Sequence, residues 1–184
     1  MSLRTVHLAA HVENSDDFHL SRLLLLLNAC GKRSNRPVDG IMKLAKLDFL
    51  LRYPNCLVRV LETLGNKELA DTISDAERNT IEAKMIRFRY GPWDKRYRKW
   101  IALLVSRRLV DTYVDGRTVK VKLTDKGISL STSLAELPEF LEMHARSKLI
   151  SGAVGAYSAS KLKSFVYEVF PEIVQMDWGK DIDL

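Results

Sequence analysis

The side chains with the clearest chemical potential in this sequence are cations concentrated between Lys84 and Arg108. This stretch of 25 residues contains nine Lys or Arg and a single acid, Asp94, whereas the whole chain of 184 residues carries a net charge of only +6. Ammonium and guanidinium groups at this density neutralise phosphates or acidic side chains, and aromatic rings among them stack or pack beside a ligand. We therefore predict a surface for a polyanion or an acidic partner, interleaved with Phe88, Tyr90, Trp93, Tyr97 and Trp100.

The remaining polar residues do not indicate catalytic chemistry. His7 and His11 are four residues apart and could share a helical face, as metal ligands do, but no third ligand stands at a useful spacing. The sequence contains no G-x-S-x-G motif and no C-x-x-C pair, and Asp48 and Glu62 are interpreted as solvated or capping charges. We expect no catalytic residue, no metal and no cofactor, and hence no enzymatic activity.

Composition places the chain among ordinary globular proteins. Hydrophobic residues make up 46% and charged residues 28% of the sequence, which suits one substantial core or two small units that share one. The longest apolar run, Leu23 to Leu27, is far too short to span a bilayer, and no signal peptide is visible. Cys30 and Cys56 are interpreted as reduced core thiols, so a cytoplasmic protein is expected.

Helical periodicity dominates the N-terminal third of the chain. A lead-in over residues 1–17 contains an alternation at Thr5 to Val12 that is typical of a strand or an arm. Five consecutive leucines make the first helix apolar on nearly every side, which indicates a buried helix capped by Ser15 or Asp16. Residues 66–82 are polar and weakly periodic, as in an insertion or a less ordered helix. Helices are predicted at Phe18 to Cys30, Ile41 to Tyr53 and Cys56 to Leu64.

A strand, a helix and a hairpin are predicted to position the cations. The strand covers Lys84 to Tyr90 and is broken by Gly91-Pro92, and Asp94 then caps a helix from Lys95 to Arg108. The Asp115-Gly116 turn joins two β-branched segments, which is a strong hairpin signal. The two hairpin strands and the helix after them are predicted at Leu109 to Val114, Arg117 to Leu123 and Thr124 to Ala135.

The basic helix is predicted to have a core face and a basic face. Trp100 lies between the two faces and is the aromatic residue best placed for contact, whereas Trp93 is expected to pack under the helix. The core face is formed by Tyr97, Ile101, Leu104 and Val105. The opposite face carries Lys95, Arg96, Lys99 and Arg107.

The hairpin is likewise predicted to be buried on one face and basic on the other. Val119, Val121 and Leu123 alternate with Lys120 and Lys122 along its second strand, so the lysines share one face. These cations could contact DNA, contact an acidic protein surface or merely solvate the outer side of the chain. The candidate partner-binding or DNA-binding residues are Arg87, Arg89, Lys95, Arg96, Lys99, Trp100, Arg107, Arg117, Lys120 and Lys122.

This order of elements predicts a winged helix-turn-helix. The expected fold class is mostly α with a small β-wing, a winged helix-turn-helix domain with additional N- and C-terminal helices. Two more helices are predicted at Pro138 to Leu149 and Ser160 to Val169, and the tail from Met176 either docks on the chain or contacts a partner. We assign residues 1–65 to an N-terminal helical part and residues 66–82 to an insertion or linker. Residues 83–135 are assigned to the winged-helix part, and residues 136–184 to the C-terminal helices with the tail.

Two stretches of the sequence resemble a known bacterial family, the small middle component of ABC-three-component defence systems. The Lamassu antiphage systems belong to this group. The stretches are DGIMKLAKLDFLLRYP, Asp39 to Pro54, and RFRYGPWDKRYRKWIALLVSRRLV, Arg87 to Val110. The similarity covers most of residues 15–130 and does not extend to the part of the chain from Leu134 onwards.

The resemblance implies a small winged-helix subunit without enzymatic activity. Such a subunit is expected to act as a kleisin-like or kite-like bridge that joins an SMC-like ABC ATPase subunit to an effector, typically a nuclease. The expected partners are those two subunits, with double-stranded DNA as a further partner at the basic face, and neither a membrane nor a small-molecule substrate. A bridge needs two contact faces, which we expect from the helices of residues 18–64 and from the hairpin side.

A MarR-like winged-helix DNA-binding transcriptional regulator is the alternative interpretation. Residues Arg108–Val110, Asp115–Arg117 and Leu123–Gly127 are similar to the wing and the following helix of MarR-type repressors, which dimerise through terminal helices. Against this alternative, a strand and a Gly-Pro-Trp turn precede the basic helix, where such a repressor has a short helix and a turn.

Overall fold

The structure is a computed structural model that describes residues 15–31, 36–80 and 84–184. Over these residues the chain is mostly helical with two small antiparallel sheets, which confirms the expected α-rich chain with a small β component. The strand or arm expected at Thr5 to Val12 lies outside the described residues. None of the helices in the three described ranges has the length and apolarity needed to cross a bilayer.

Three consecutive helices begin the described chain. Helix α1 spans Asp16–Gly31, helix α2 spans Ile41–Arg52 and helix α3 spans Pro54–Thr63. Ser15 is the N-cap of α1, since its hydroxyl accepts a hydrogen bond from the Phe18 amide at 3.3 Å. The proline that ends α2 is also the first residue of α3, a position where its missing N–H leaves no partner unsatisfied.

Helices α1 and α2 are buried on almost every side. The leucine run of α1 is buried throughout, as the sequence predicts, and all of α2 from Lys43 to Arg52 is buried as well. These two helices therefore offer little exposed surface to the contact face that we expected from residues 18–64. Helix α3 has a more exposed outer side, with Arg59, Glu62 and Thr63 accessible, whereas α1 exposes Asp17 in its first turn.

The segment expected to be an insertion or a less ordered helix contains two single-turn helices. Helix α4 spans Lys67–Ala70 and helix α5 spans Asp75–Arg78. Ser74 and Glu77 form a reciprocal capping box that satisfies the first amides of α5, so a turn of four residues is stable there. Ile73, between the two helices, is buried in the core.

The smaller sheet replaces the single strand predicted at Lys84 to Tyr90. Strand β2 (Ile86–Phe88) turns back at once and pairs with strand β3 (Gly91–Trp93), so the Gly-Pro break is itself part of a strand. Gly91 has a φ of 117°, which residues with a side chain rarely adopt, and this glycine permits the tight reversal.

The larger sheet has three strands in the order β1-β5-β4. Strands β4 (Val110–Asp115) and β5 (Thr118–Leu123) form the predicted hairpin, and Gly116 in its turn has a φ of 60°. Strand β1 (Val38–Asp39) lies in a segment predicted to be a loop, and it pairs antiparallel with β5. The hairpin is thus extended by a strand from a distant part of the chain.

The remaining helices surround the hairpin and the N-terminal helices. Thr124 caps α7 as predicted, because its hydroxyl accepts a hydrogen bond from the Gly127 amide at 3.0 Å. Helix α8 continues into the small-residue run that was expected to follow it. In chain order the segments are α6 (Tyr97–Ser106), α7 (Asp125–Leu134), a 3-10 turn (Pro138–Phe140), α8 (Leu141–Val154), α9 (Ala159–Val169) and α10 (Pro171–Gln175).

One hydrophobic cluster joins side chains from all of these parts. Helix α1 packs against α7 and α8, and α2 packs against α9 and β3. The tail docks on the core, because the buried Ile182 accepts a hydrogen bond from the Tyr53 hydroxyl and donates its amide to Met85, each at 2.8 Å. Trp178, in contrast, is 66% exposed.

Candidate functional site

Helix α6 buries a different arc from the one that the helical projection predicts. Tyr97, Trp100, Ile101 and Leu104 are buried, whereas Val105 is 39% exposed. The expectation that Trp100 is a surface contact residue is therefore wrong. The indole has the largest apolar area on this helix, so turning it inward buries more surface than burying a valine would.

Polar and cationic groups surround the Trp100 indole. Its Nε1 donates a hydrogen bond to Oδ1 of Asp16 at 3.1 Å, and its ring centroid lies 4.4 Å from that of His19. Both partners belong to α1, so the indole fastens α6 to that helix. Three guanidinium groups lie between 4.8 and 5.5 Å from the indole centroid, a distance that permits cation–π attraction, and they belong to Arg22, Arg52 and Arg96.

A buried carboxylate on α2 organises two of these arginines. Asp48 is fully buried, so its interpretation as a solvated or capping charge is wrong. Its Oδ1 accepts a hydrogen bond from Nε of Arg22 at 2.7 Å. Its Oδ2 accepts hydrogen bonds from Nε of Arg52 at 2.9 Å and from the Tyr97 hydroxyl at 2.5 Å. The carboxylate thereby connects α1, α2 and α6.

The sequence contains a signal that could have identified this network. Helix α2 is apolar around most of its circumference, and a charge on such a helix has no route to solvent and must be paired. Asp48 and Arg52 are four residues apart and share one face of that helix, while Arg22 directly precedes the leucine run. Charges within all-round apolar helices therefore indicate a buried ionic network.

Asp94 extends the network to the start of α6. Its Oδ2 accepts hydrogen bonds from Nη1 of Arg52 at 2.9 Å and from Nη2 of Arg96 at 2.8 Å. Its Oδ1 accepts the backbone N–H of Arg96 at 2.9 Å, so this aspartate fixes the turn before the helix. The helix begins at Tyr97 with Arg96 as its N-cap, so the predicted start at Lys95 with Asp94 as the cap is wrong. The start of α6 is thus fixed to α2 by charge-assisted hydrogen bonds.

The protonation states of the network are fixed by its own contacts. Burial alone would raise the pKa of Asp48, but Arg22 and Arg52 offset this effect and lower the pKa to about 2. Burial would also raise the pKa of Asp94, and Arg96 and Arg52 nevertheless hold that pKa well below its usual range. Burial and the neighbouring Asp48 raise the pKa of Tyr97 well above its usual value. These groups hold their protonation states at neutral pH and serve as structure.

The structure separates the ten candidate contact residues into three groups. Two of them, Arg87 and Trp100, are buried. Four are cations in ion pairs, namely Arg96 with Asp94, Lys99 with Asp16, Arg107 with Asp17 and Lys120 with Asp39. The remaining four are accessible cations: Arg89, Lys95 and Arg117 are exposed, and Lys122 is half-buried.

The ion pairs with α1 reduce the charge that α6 presents. Asp16 and Asp17 stand in the first turn of α1, where the helix dipole favours negative charge. They pair with Lys99 at 2.5 Å and with Arg107 at 2.7 Å. Exposed pairs of this kind contribute about 0–1 kcal/mol to stability. Their main effect is to neutralise two cations that we expected to face a partner.

The outer face of the hairpin is mixed in charge, so the predicted basic face is wrong. Lys122 stands opposite Asp111 across the two strands. The ammonium of Lys120 lies 2.6 Å from a carboxylate oxygen of Asp39 and 3.5 Å from one of Asp115. Acidic residues of β1 and β4 therefore offset the lysines of β5.

The apolar face of the hairpin is buried only at its base. Val121 and Leu123 lie in the core, as predicted. Towards the turn, Val114 and Val119 of this face are 71% and 37% exposed, and Tyr113, on the opposite face across from Lys120, is 48% exposed. The hairpin therefore projects an apolar tip away from the core.

Two exposed cations complete the accessible set, although sequence reasoning omitted them. Arg98 lies two helical turns before Val105 and on the same side of the helix. The helical projection places this side in the core because of Val105, which is in fact exposed. Arg108 has a φ of 57° at the turn from α6 to β4. We define the basic surface as the accessible cations of α6, of the turns that flank this helix and of the hairpin that form no ion pair with a described residue: Lys95, Arg98, Arg108, Arg117 and Lys122.

Thiols and imidazoles do not form a chemical centre in the described part of the chain. No three His, Cys, Asp or Glu side chains are grouped there so as to hold a metal ion. The His7–His11 pair lies outside the described residues. Burial raises the pKa of Cys30 to about 11 and that of Cys56 to about 12, so both thiols stay protonated at neutral pH.

Comparison with known proteins gives no match. No protein-family model, no curated protein and no solved structure matches this chain. The basic surface and the buried network behind it are therefore the observations from which a function is argued.

Proposed function

We propose that this chain is a non-catalytic binding module whose basic surface contacts an anionic partner. The contrast between the two sides of α6 carries the proposal. The inner side is locked into the core through the Asp48 network. The outer side presents Arg98, and Lys95 stands in the turn before the helix; neither has an acidic partner among the described residues. A rigid helix that displays unpaired cations favours association with negative surfaces.

The order and pairing of the elements support a winged helix-turn-helix. Such a domain contains a helix, a strand, two helices and a hairpin, with the first strand beside the last. In this chain α1, β1, α2, α6 and the β4–β5 hairpin follow in that order, and β1 pairs with β5. On this interpretation α3 to β3 form an insertion between α2 and α6, and α6 is the helix that meets the partner.

The resemblance to the middle component of ABC-three-component systems makes the proposal more specific. The chain is then an accessory subunit of a bacterial antiphage defence complex that bridges an SMC-like ABC ATPase and an effector nuclease. The two similar stretches, Asp39–Pro54 and Arg87–Val110, correspond to α2 and to the region from β2 through α6. These are the elements that carry Asp48, Asp94 and most of the basic surface.

The exposed side chains around the hairpin favour a protein partner. The apolar tip lies on the same hairpin as Arg117 and Lys122. Aromatic and aliphatic side chains next to arginine are typical of the buried centre of protein interfaces, whereas contact with a DNA backbone is made by cations and polar groups. An acidic surface with an apolar patch on the ATPase subunit fits this combination.

Affinity purification from the native host, with and without nuclease treatment, tests the proposal. We expect the SMC-like ATPase and the effector to be recovered with the tagged chain after nuclease treatment, because the contact is between proteins. Recovery of the chain alone, or loss of both partners on nuclease treatment, would contradict the bridging role.

A MarR-like regulator is the second candidate, since the hairpin is followed directly by the Thr124-capped helix α7. Such a regulator forms its dimer through terminal helices, yet α1 is packed inside the core of its own chain. Light scattering on the purified protein separates the two functions. An accessory subunit is expected to be a monomer in isolation, whereas a dimer that shifts its own promoter DNA would favour the regulator.

A further inference from the structure

A second group of cations lies on different elements from the basic surface. It comprises Arg87 and Arg89 on and after β2, Lys46 on α2 and Lys163 on α9. Sequence reasoning singled out the two arginines but not the lysines, since the lysines stand far away in the chain. Two tyrosine rings lie among these cations, those of Tyr90 and Tyr167.

Arg87 is the most unusual member of this group. Arg87 is only 6% exposed, and the Nε and Nη1 atoms of its guanidinium have no hydrogen-bond partner among the described residues. The guanidinium lies 5.6 Å from the ring centroid of Tyr167, whose buried hydroxyl also lacks a partner there. Buried donors are almost always satisfied in folded proteins, so three unsatisfied groups at one place indicate a missing acceptor.

Two lysines belong to the same cluster. Lys46 is 2% exposed and donates from Nζ to the Met42 carbonyl at 3.0 Å. Burial and repulsion from Lys163 together lower its pKa to about 8. The ammonium of Lys163 lies 5.4 and 5.7 Å from the ring centroids of Tyr90 and Tyr167. Positive charge is thus crowded here.

Gly91 shows how closely these side chains approach the β2–β3 turn. A Cβ at this position would lie 3.6 Å from Cε of Lys46 and 3.7 Å from Cε1 of Tyr167. The turn therefore rests directly on the lysine and the tyrosine. Within the described ranges, none of the four cations takes part in an ion pair, so no carboxylate described there neutralises them.

We propose that Arg87, Lys46, Lys163 and the Tyr167 hydroxyl form a binding site for a phosphate group. A guanidinium presents several N–H donors in a plane that matches phosphate oxygens, and a tetrahedral dianion can accept from donors on several sides. A single carboxylate offers one charge and two oxygens, which suits this number of cations and donors less well. The site stands apart from the proposed function and does not depend on it.

Thermal unfolding of the full chain in sodium phosphate and in sodium chloride of equal ionic strength tests the site. Because phosphate binds only the folded state, we expect it to raise the Tm by about 3–5 °C at ten times its dissociation constant. Arg87→Met and Tyr167→Phe are expected to lose most of this shift. If Arg87→Met does not fold, Lys163→Met carries the test, because Lys163 is only half-buried.

Arg59→Met is the matched control. Arg59 also lies over an aromatic ring, 5.0 Å from the centroid of Phe170, but it is paired with Glu172. This variant should keep the full phosphate shift. Equal Tm values in phosphate and chloride would overturn the proposal, as would a full shift in Tyr167→Phe and Lys163→Met. A shift of the same size in acetate would reassign the site to carboxylates and would also overturn it.

The source of the phosphate is resolved by two further probes. A short oligonucleotide with a 5′-phosphate is compared with the same oligonucleotide without it. Binding that requires the 5′-phosphate and Arg87 supports a site for nucleic-acid ends, whereas binding of inorganic phosphate alone supports a site for a small anion. Equal binding of both oligonucleotides, with no response to inorganic phosphate, would contradict a phosphate site.

Discussion

Replacement of the buried Asp48 by asparagine is the most direct perturbation of the network that holds α6. Asparagine keeps the shape of the side chain but removes the charge between Arg22 and Arg52, whose side chains are 0% exposed. Removing one partner of a buried ion pair costs about 3–5 kcal/mol, because the other charge is left without compensation. The lowering of the pKa of Asp48 from 3.8 to about 2 corresponds to a comparable contribution of ~2.5 kcal/mol to the free energy of unfolding at neutral pH.

We therefore expect Asp48→Asn to lower the free energy of unfolding by about 3 kcal/mol, a decrease in Tm of roughly 6–12 °C. Urea unfolding followed by circular dichroism measures the difference. Glu62→Gln on the outer side of α3 is the matched control, and it should stay within about 0.5 kcal/mol of the wild type because Glu62 is exposed. A variant Asp48→Asn as stable as this control would refute the reasoning.

The same network predicts how stability depends on pH. Because the pKa of Asp48 is lower in the folded than in the unfolded chain, its contribution is complete above about pH 4. It is lost as the pH falls from about 4 to 2. The difference in stability between the wild type and Asp48→Asn should therefore shrink across this window, and a difference that stays constant would contradict the assigned pKa.

Two further predictions concern packing and thiol reactivity. Gly127→Ala should destabilise the chain by about 2 kcal/mol or more, because the new Cβ would lie 2.0 Å from the Leu109 carbonyl oxygen. Gly152→Ala meets nothing within 4 Å and should stabilise its helix by about 0.5–1 kcal/mol. Chemical denaturation compares the free energies of unfolding of the two variants. Cys56, whose pKa burial raises to about 12, should not react with a thiol reagent at pH 8 until urea unfolds the chain, and rapid labelling of the folded protein would contradict this burial.

The helices and the main hairpin could be predicted because their signals are local. The leucine run of α1, the Thr124 cap and the Asp115-Gly116 turn each act through neighbouring residues, and the structure confirms them. Strand β1 could not be predicted, because two residues carry no periodicity and Val38–Asp39 is a strand only through its pairing with β5. The short strand at Gly91–Trp93 contains a proline, which argues against a strand in any reading of local sequence.

The candidate site was predictable only in part, because pairing between distant residues decides which charges remain accessible. Lys99 and Arg107 were chosen by their position on the helix, yet the acids that neutralise them stand more than 80 residues earlier in the chain. Trp100 was misplaced because a helical projection weights every apolar residue alike, whereas its burial depends on the cavity that α1 and α2 provide. Arg98 and Arg108 belong to the basic surface because neither forms an ion pair with an acidic residue that the structure describes.

The measurement that tests the central claim most directly is capture of the proposed ATPase partner by charge-reversed chains. Lys95→Glu with Arg98→Glu reverses two cations of the basic surface, and Lys67→Glu with Lys148→Glu reverses two exposed lysines elsewhere. Both variants should fold with the stability of the wild type. In nuclease-treated lysate the first variant should recover the ATPase subunit at least about tenfold less than the wild type, and the second should recover it normally. Equal recovery by both variants would show that the basic surface is only a solvated face and would contradict the account.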